Sequence, residues 1–166
     1  MSRVYLSLGS NIDREHNLAS GLTRLAATLG TLTLSPVYES AAVGFAGPAF
    51  LNLVVAFDTD WPVGQLAHFF HQVEAEHGRV RGKKKLASRT LDIDILTYDD
   101  LTGLVDGVSL PRAEIVRYAF VLRPLCDLAA DELHPSLHQS YAQLWADTDF
   151  SDQPLQPVEF VWAPPS

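Results

Sequence analysis

Apolar Val4, Leu6 and Leu8 alternate with Tyr5, Ser7 and Gly9, a period of two that predicts a half-buried strand ending at Gly9-Ser10-Asn11. From Asp13 the period lengthens. Leu18, Leu22, Leu25, Ala26 and Leu29 fall on one helical face, and Gly30 stands where that helix should stop. Thr31 to Ser40 is rich in Thr, Leu, Val and Tyr but contains Pro36, so it reads as an edge or interrupted strand. Ala41 to Ala49, with Gly44, Gly47 and Pro48, reads as a loop. Phe50 to Asp58 is apolar almost throughout, as in a strand at a sheet centre or covered on both faces, with Asn52 the one polar residue near its start.

A second helix, capped by Asp60 and holding Pro62 in its first turn, carries Val63, Leu66, Ala67, Phe70 and Val73 on one face and closes at Gly78. On it His71, Glu74 and His77 are spaced three apart and read as a wet face. Leu91 to Tyr98 predicts a strand with Leu91, Ile93 and Ile95 on one side and Asp92, Asp94 and Leu96 on the other. Asp99 to Ser109 reads as a hairpin turning at Asp106-Gly107, and Arg112 to Ala129 as a helix broken near Pro124. In the tail a short helix around Leu137 to Trp145 precedes Pro154, Pro157, Pro164 and Pro165, which suggest irregular packing. The order of elements predicts an α+β fold. Its core is a ferredoxin-like βαββαβ unit with an added hairpin and C-terminal helices, residues 1–166 forming one domain.

Composition narrows the setting. With 166 residues, 47% hydrophobic and 19% charged, the chain can bury a full core without disulfides or a structural metal. A net charge of −8 disfavours nucleic acid or a membrane surface as partner. The single cysteine, Cys126, reads as a small buried hydrophobe and has no intramolecular disulfide partner. No apolar run is long enough to span a bilayer, and Met1-Ser-Arg leads straight into the first strand, so a cytoplasmic location is expected.

One stretch departs from this acidic background. Six of the twelve Lys and Arg residues (Arg79, Arg81, Lys83, Lys84, Lys85, Arg89) precede Asp92 and Asp94. Aspartates two apart on a strand point the same way with Cα atoms roughly 6.5–7 Å apart. Such hard oxygen ligands suit Mg²⁺, which takes one or two protein carboxylates and completes its shell with phosphate and water. Alone, Asp-x-Asp is most often a solvated pair, and Lys83 to Lys85 a solvated charge run. Together they provide both halves of a triphosphate clamp, metal ligands and cationic forks. Gly82 hinges the basic run.

Lys85-Leu86-Ala87-Ser88-Arg89-Thr90-Leu91-Asp92-Ile93-Asp94 resembles the signature of the 6-hydroxymethyl-7,8-dihydropterin pyrophosphokinase family, which moves pyrophosphate from ATP to the pterin and releases AMP in folate biosynthesis. Gly9-Ser10-Asn11, Tyr38 to Asn52, Glu74 and Gly78-Arg79-Val80-Arg81 are similar in register, and the tail beyond Pro135 adds little. The resemblance implies two Mg²⁺ ions on Asp92 and Asp94, and catalytic roles for Arg81, Arg89, Asp92 and Asp94. It implies ATP contacts from Arg79, Arg81, Lys85, Arg89 and Arg112, with Ile95 and Ser109 at the adenine. The pterin would meet Ser40 and Val43 through backbone groups, Asn52 through hydrogen bonds, and the rings of Phe50 and Phe120 by stacking. ATP and the pterin are the expected partners, and a monomer is expected.

Four positions depart from the family's usual residues: Arg112 for His, Tyr118 for Arg, Leu86 for Trp and His71 for Gln. They bear on ATP affinity and rate more than on reaction type. They also motivate a second reading, a pterin- or nucleotide-binding paralogue with weak or no kinase activity, which would bind pterin without forming AMP. A ferredoxin-like regulatory module is a third reading, and it leaves Arg-x-x-Asp-x-Asp without a reason.

Overall fold

The first strand, β1 (Ser2–Ser10), is buried continuously from Val4 to Ser10. This differs from the half-buried strand that its alternation predicts. The reason lies in the layers: in the computed structural model, which describes residues 1–42, 46–78 and 90–165, helices cover both faces of the sheet. Tyr5 and Ser7 therefore face a second core rather than solvent.

The helix α1 (Arg14–Leu29) buries Leu18, Leu22 and Leu25 and ends before Gly30, as its period predicts. The next segment is split by Ser35 and Pro36 into β2 (Thr33–Leu34) and β3 (Val37–Ser40). Proline lacks an N–H for the ladder, and Ser35 keeps the break attached: its N–H donates to Val54 O and its hydroxyl accepts from Val54 N, both at 2.9 Å. The strand β4 (Phe50–Thr59) pairs with β1 on one side and with β2 and β3 on the other, so it is central as its apolar run predicts.

The second helix, α2 (Val63–Glu76), starts after Pro62. Asp60 does not cap it; its carboxylate pairs with the Met1 amino group at 3.5 Å. The wet-face reading also fails in part. His71 is exposed, but Glu74 is buried and His77 bonds both Val73 O and Ser20 Oγ.

The strand β5 (Asp92–Tyr98) pairs antiparallel with β1. A register shift between Tyr5 and Leu6 gives β5 one extra residue, Leu96, so Ile93 and Ile95 lie in the α1–α2 core while Leu96 joins the other. A hairpin follows, β6 (Gly103–Val105) and β7 (Val108–Leu110), turning at Asp106-Gly107 where both residues have positive φ.

After a cis Leu110–Pro111 peptide, a single 3₁₀ turn (Ala113–Val116) leads into α3 (Ala119–Ala129). The break thus lies at Arg117-Tyr118 and not at Pro124, which sits buried inside α3 as its sixth residue. The last helix, α4 (Tyr141–Asp147), begins later than its composition suggests because Ser140 caps it, accepting from Gln143 N at 3.1 Å.

The tail is more ordered than its prolines suggest. β8 (Gln156–Val158) pairs with β3 and covers what would have been the sheet edge. The sheet order is β5-β1-β4-β3-β8, with neighbours antiparallel and β2 beside β4. Without β8 this is the ferredoxin-like order, with the hairpin and C-terminal helices added as expected. Among the described residues no helix is long and apolar enough to cross a membrane.

Candidate active site

Strand register places the polar residues of the core strands in one transverse row. Tyr38 on β3 lies opposite Asn52 on β4, Asn52 opposite Gly9 on β1, and Gly9 opposite Asp92 on β5. In the next row, Val54, Ser7 and Asp94 stand side by side. Cross-strand partners project to one face, here the face covered by α3 and α4, where Val54 and Tyr5 are buried. Adjacent strands are about 4.8 Å apart, so Asn52 and Asp92 stand roughly 9–10 Å apart across Gly9.

Gly9 matters for what it lacks. A Cβ there would lie 2.4 Å from Asn52 Nδ2, which leans across β1 and donates to Leu8 O at 3.5 Å. Asn52 is only 5% exposed, and its Oδ1 is buried without a hydrogen-bond partner among the described residues. Desolvating an amide oxygen and leaving it unpaired costs on the order of 1–3 kcal/mol. Ser40 Oγ, one row beyond and opposite Phe50, is likewise buried and unpartnered. These two acceptors mark a place built for a hydrogen-bonding molecule.

Aromatic groups stand on the same side of the sheet. Phe50 is half-buried at the start of β4, and Phe120 is half-buried in the first turn of α3, stacked on Tyr118 with ring centroids 4.9 Å apart. Tyr38 donates its hydroxyl to Asp127 at 2.5 Å; burial first, then that bond, pushes the phenol above its ordinary range, so it stays protonated. The returning arm of the 41–49 loop is tied down by Asn11, donating to Pro48 O at 3.0 Å, and Arg14, donating to Ala49 O at 3.2 Å and pairing with Glu39 at 2.5 Å. The hydrophobic pattern does not reveal Arg14 in this role. Its one signal is a cation in the first turn of a helix, against the dipole.

Asp92 and Asp94 are half-buried on the same side of β5, as their spacing requires. Asp94 Oδ1 lies 3.3 Å from Arg112 Nη2, while Arg112 Nε donates to Glu114 at 2.9 Å and its backbone N–H to Leu96 O at 2.9 Å. Glu74, buried on α2, accepts the Ile93 N–H at 2.9 Å, which anchors β5 between the two aspartates from its outer edge. The donor set suits a hard cation: two carboxylates converge from alternate positions of a fixed strand and leave most of a coordination shell for phosphate and water.

Ile95 is 4% exposed and belongs to the α1–α2 core, so its side chain faces away from Asp94. Since the Ile93 N–H points outward to Glu74, backbone alternation puts the Ile95 peptide groups on the same outer edge. Ser109 is exposed on β7. Arg79, Arg81, Lys85, Arg89 and Val43 lie outside the described residues, as do Lys83, Lys84 and Leu86.

Comparison with known proteins shows the family. The chain is similar to the 2-amino-4-hydroxy-6-hydroxymethyldihydropteridine pyrophosphokinase of Pseudomonas aeruginosa, 40% identical over 136 residues that make up 79% of this chain and 83% of that protein. It is also similar to Folic acid synthesis protein fol1 of Schizosaccharomyces pombe, 34% identical over 140 residues, which are 82% of this chain but 19% of that relative's length. A solved Plasmodium falciparum HPPK-DHPS wild-type chain with SDX-DHP has a TM-score of 0.68 at 16% identity, over 88% of this chain and 43% of that one, a likeness of fold. Residues 5–130, which include every residue of the Tyr38-Asn52-Gly9-Asp92 row, match the family described as 7,8-dihydro-6-hydroxymethylpterin-pyrophosphokinase (HPPK), and the chain belongs to that family.

Proposed function

We propose that this chain transfers pyrophosphate from ATP to 6-hydroxymethyl-7,8-dihydropterin and releases AMP, as a Mg²⁺-dependent diphosphokinase of folate biosynthesis. The observation that carries the reading is the row itself. A buried amide whose oxygen has no partner among the described residues and a metal-type carboxylate pair face one sheet surface, separated by a residue with no side chain.

Asn52 binds the polar edge of the pterin through its unpaired Oδ1, with the Ser40 end of β3 beside it. Phe50 and Phe120 hold the flat ring, which leaves the bare stretch over Gly9 for the hydroxymethyl group to reach toward Asp92 and Asp94. Asp92 and Asp94 would hold two Mg²⁺ ions, which when bound neutralise phosphate charge and orient the attacking and leaving oxygens. Arg112, already beside Asp94, supplies fixed positive charge to the same side, and Arg79, Arg81, Lys85 and Arg89 contribute further phosphate contacts. The Ile95 peptide edge and Ser109 border the adenine. Catalysis then rests on positioning and charge neutralisation, with no side chain required as a strong base. The protein works as a cytoplasmic monomer.

The experiment is AMP release from ATP, Mg²⁺ and 6-hydroxymethyl-7,8-dihydropterin. Asp92→Ala and Asp94→Ala should each lower turnover by at least about a thousandfold, a loss of roughly 4 kcal/mol or more of transition-state stabilisation. Turnover undiminished in both would remove the carboxylate pair from the mechanism.

A further inference from the structure

The C-terminal tail crosses the start of α3 before it joins the sheet. Gln153 accepts the Ala119 N–H through Oε1 at 2.9 Å and donates from Nε2 to the Arg117 carbonyl at 3.0 Å. These two backbone groups bracket Tyr118, the residue that caps α3 without any side-chain capping bond of its own. A helix start leaves its first N–H groups unpaired. Here the missing cap comes from a residue 34 positions away.

Tyr118 is thereby free for a different task. Its ring lies on that of Phe120 at an interplanar angle of 14°, covering one face of Phe120. A pterin stacked on Phe120 must take the opposite face. The position of that face depends on where the Arg117–Ala119 backbone is held, which is where Gln153 holds it. Gln153 is itself fixed: its N–H donates to Phe150 O at 2.8 Å, and Phe150 stacks on Trp145 of α4 at 5.4 Å. Three residues on, β8 begins to pair with β3, whose Ser40 end borders the same site. The tail thus fastens both walls of the proposed pterin pocket, yet it lies beyond residues 5–130 that match the family.

We infer that Gln153 is a positioning residue for the pterin: by pinning Arg117–Ala119 it sets the ring pair Tyr118–Phe120, so the tail tunes pterin affinity without touching either substrate. This rests on the pyrophosphokinase reading. Losing the two bonds should loosen the wall and leave the metal shelf on β5 untouched, since Asp92 and Asp94 are held by β1 and Glu74 instead.

The test measures binding of fluorescent 6-hydroxymethylpterin, steady-state constants for both substrates, and the thermal midpoint. Gln153→Ala should weaken pterin binding about three- to tenfold, as expected for one to two net hydrogen bonds. The KM for ATP and kcat should stay within about twofold. Gln153→Glu keeps the acceptor for Ala119 but turns a carboxylate oxygen toward the Arg117 carbonyl, so it should weaken pterin binding at least as much as Gln153→Ala. Thr23→Val removes the bond from Trp162 Nε1 at the tail's far end and should leave pterin binding unchanged. Unchanged pterin affinity in Gln153→Ala, or pterin and ATP constants that worsen together with the thermal midpoint, would overturn the inference and leave a structural strap. If the wild-type chain itself releases no AMP, it is the underlying reading that fails.

Discussion

At Gly9 a single methyl group decides whether Asn52 can keep its place. The Cβ of an alanine would lie 2.4 Å from Asn52 Nδ2, far inside van der Waals contact, and Asn52 is hemmed in by neighbouring strands on both sides. Gly9→Ala should therefore cost about 1–3 kcal/mol of stability by overpacking and weaken pterin binding at least about tenfold, read by chemical denaturation and pterin fluorescence. Asn52 offers the opposite trade. Its Oδ1 is buried and has no partner among the described residues, so the near-isosteric Asn52→Leu should raise the unfolding free energy by about 1 kcal/mol while abolishing pterin binding. A variant that loses stability instead would show that the Asn52 amide is a structural group. The role of Asn52 could be suspected from the sequence as one polar residue in an apolar run. The clearance at Gly9 could not, because it depends on which residue of β4 lies across from it, and register is a property of the folded sheet.

Among the elements, β5 and α2 show how a charged side chain can belong to the core. Glu74 reads as solvated because helical periodicity sorts residues by polarity, but a carboxylate can be buried when it satisfies a strand's outward N–H. Glu74→Ala would leave the Ile93 N–H without this acceptor and should destabilise the fold by about 1–3 kcal/mol, measured by urea titration. The central strand, both long helices, the hairpin at Asp106-Gly107 and the aspartate strand were legible because each rests on a local pattern. The break at Arg117-Tyr118 and the strand β8 were not. Pro124 is the louder local signal, whereas the true break is held by Gln153 from the tail, and β8 is three residues with no periodicity that pair only because the edge of β3 is there to receive them.

For the whole molecule, the two-layered core ties stability to groups far from the substrates. His134 is buried beside α4, where its Nδ1 accepts the N–H groups of Ser136 and Leu137, each at 3.1 Å, so the folded state needs the neutral ring. Burial first, then the nearby His138, holds its pKa below the ordinary value of about 6.5. The unfolded chain binds that proton more readily, so this contribution is full above about pH 6.5 and is lost as pH falls through the folded value. The thermal midpoint should drop between pH 7 and 5, and His134→Asn, which keeps an acceptor that does not titrate, should flatten that drop.

The proposed function joins a pterin reader to a phosphate-transfer shelf on one sheet face. The most direct measurement is AMP formed by the purified chain from ATP, Mg²⁺ and 6-hydroxymethyl-7,8-dihydropterin, with Asp94→Ala and Asn52→Leu alongside. AMP should form in proportion to the pterin consumed, stop without the pterin, and fall to background in both variants. Tight pterin binding by the wild-type chain with no AMP formed would contradict the account and leave a pterin-binding paralogue in its place.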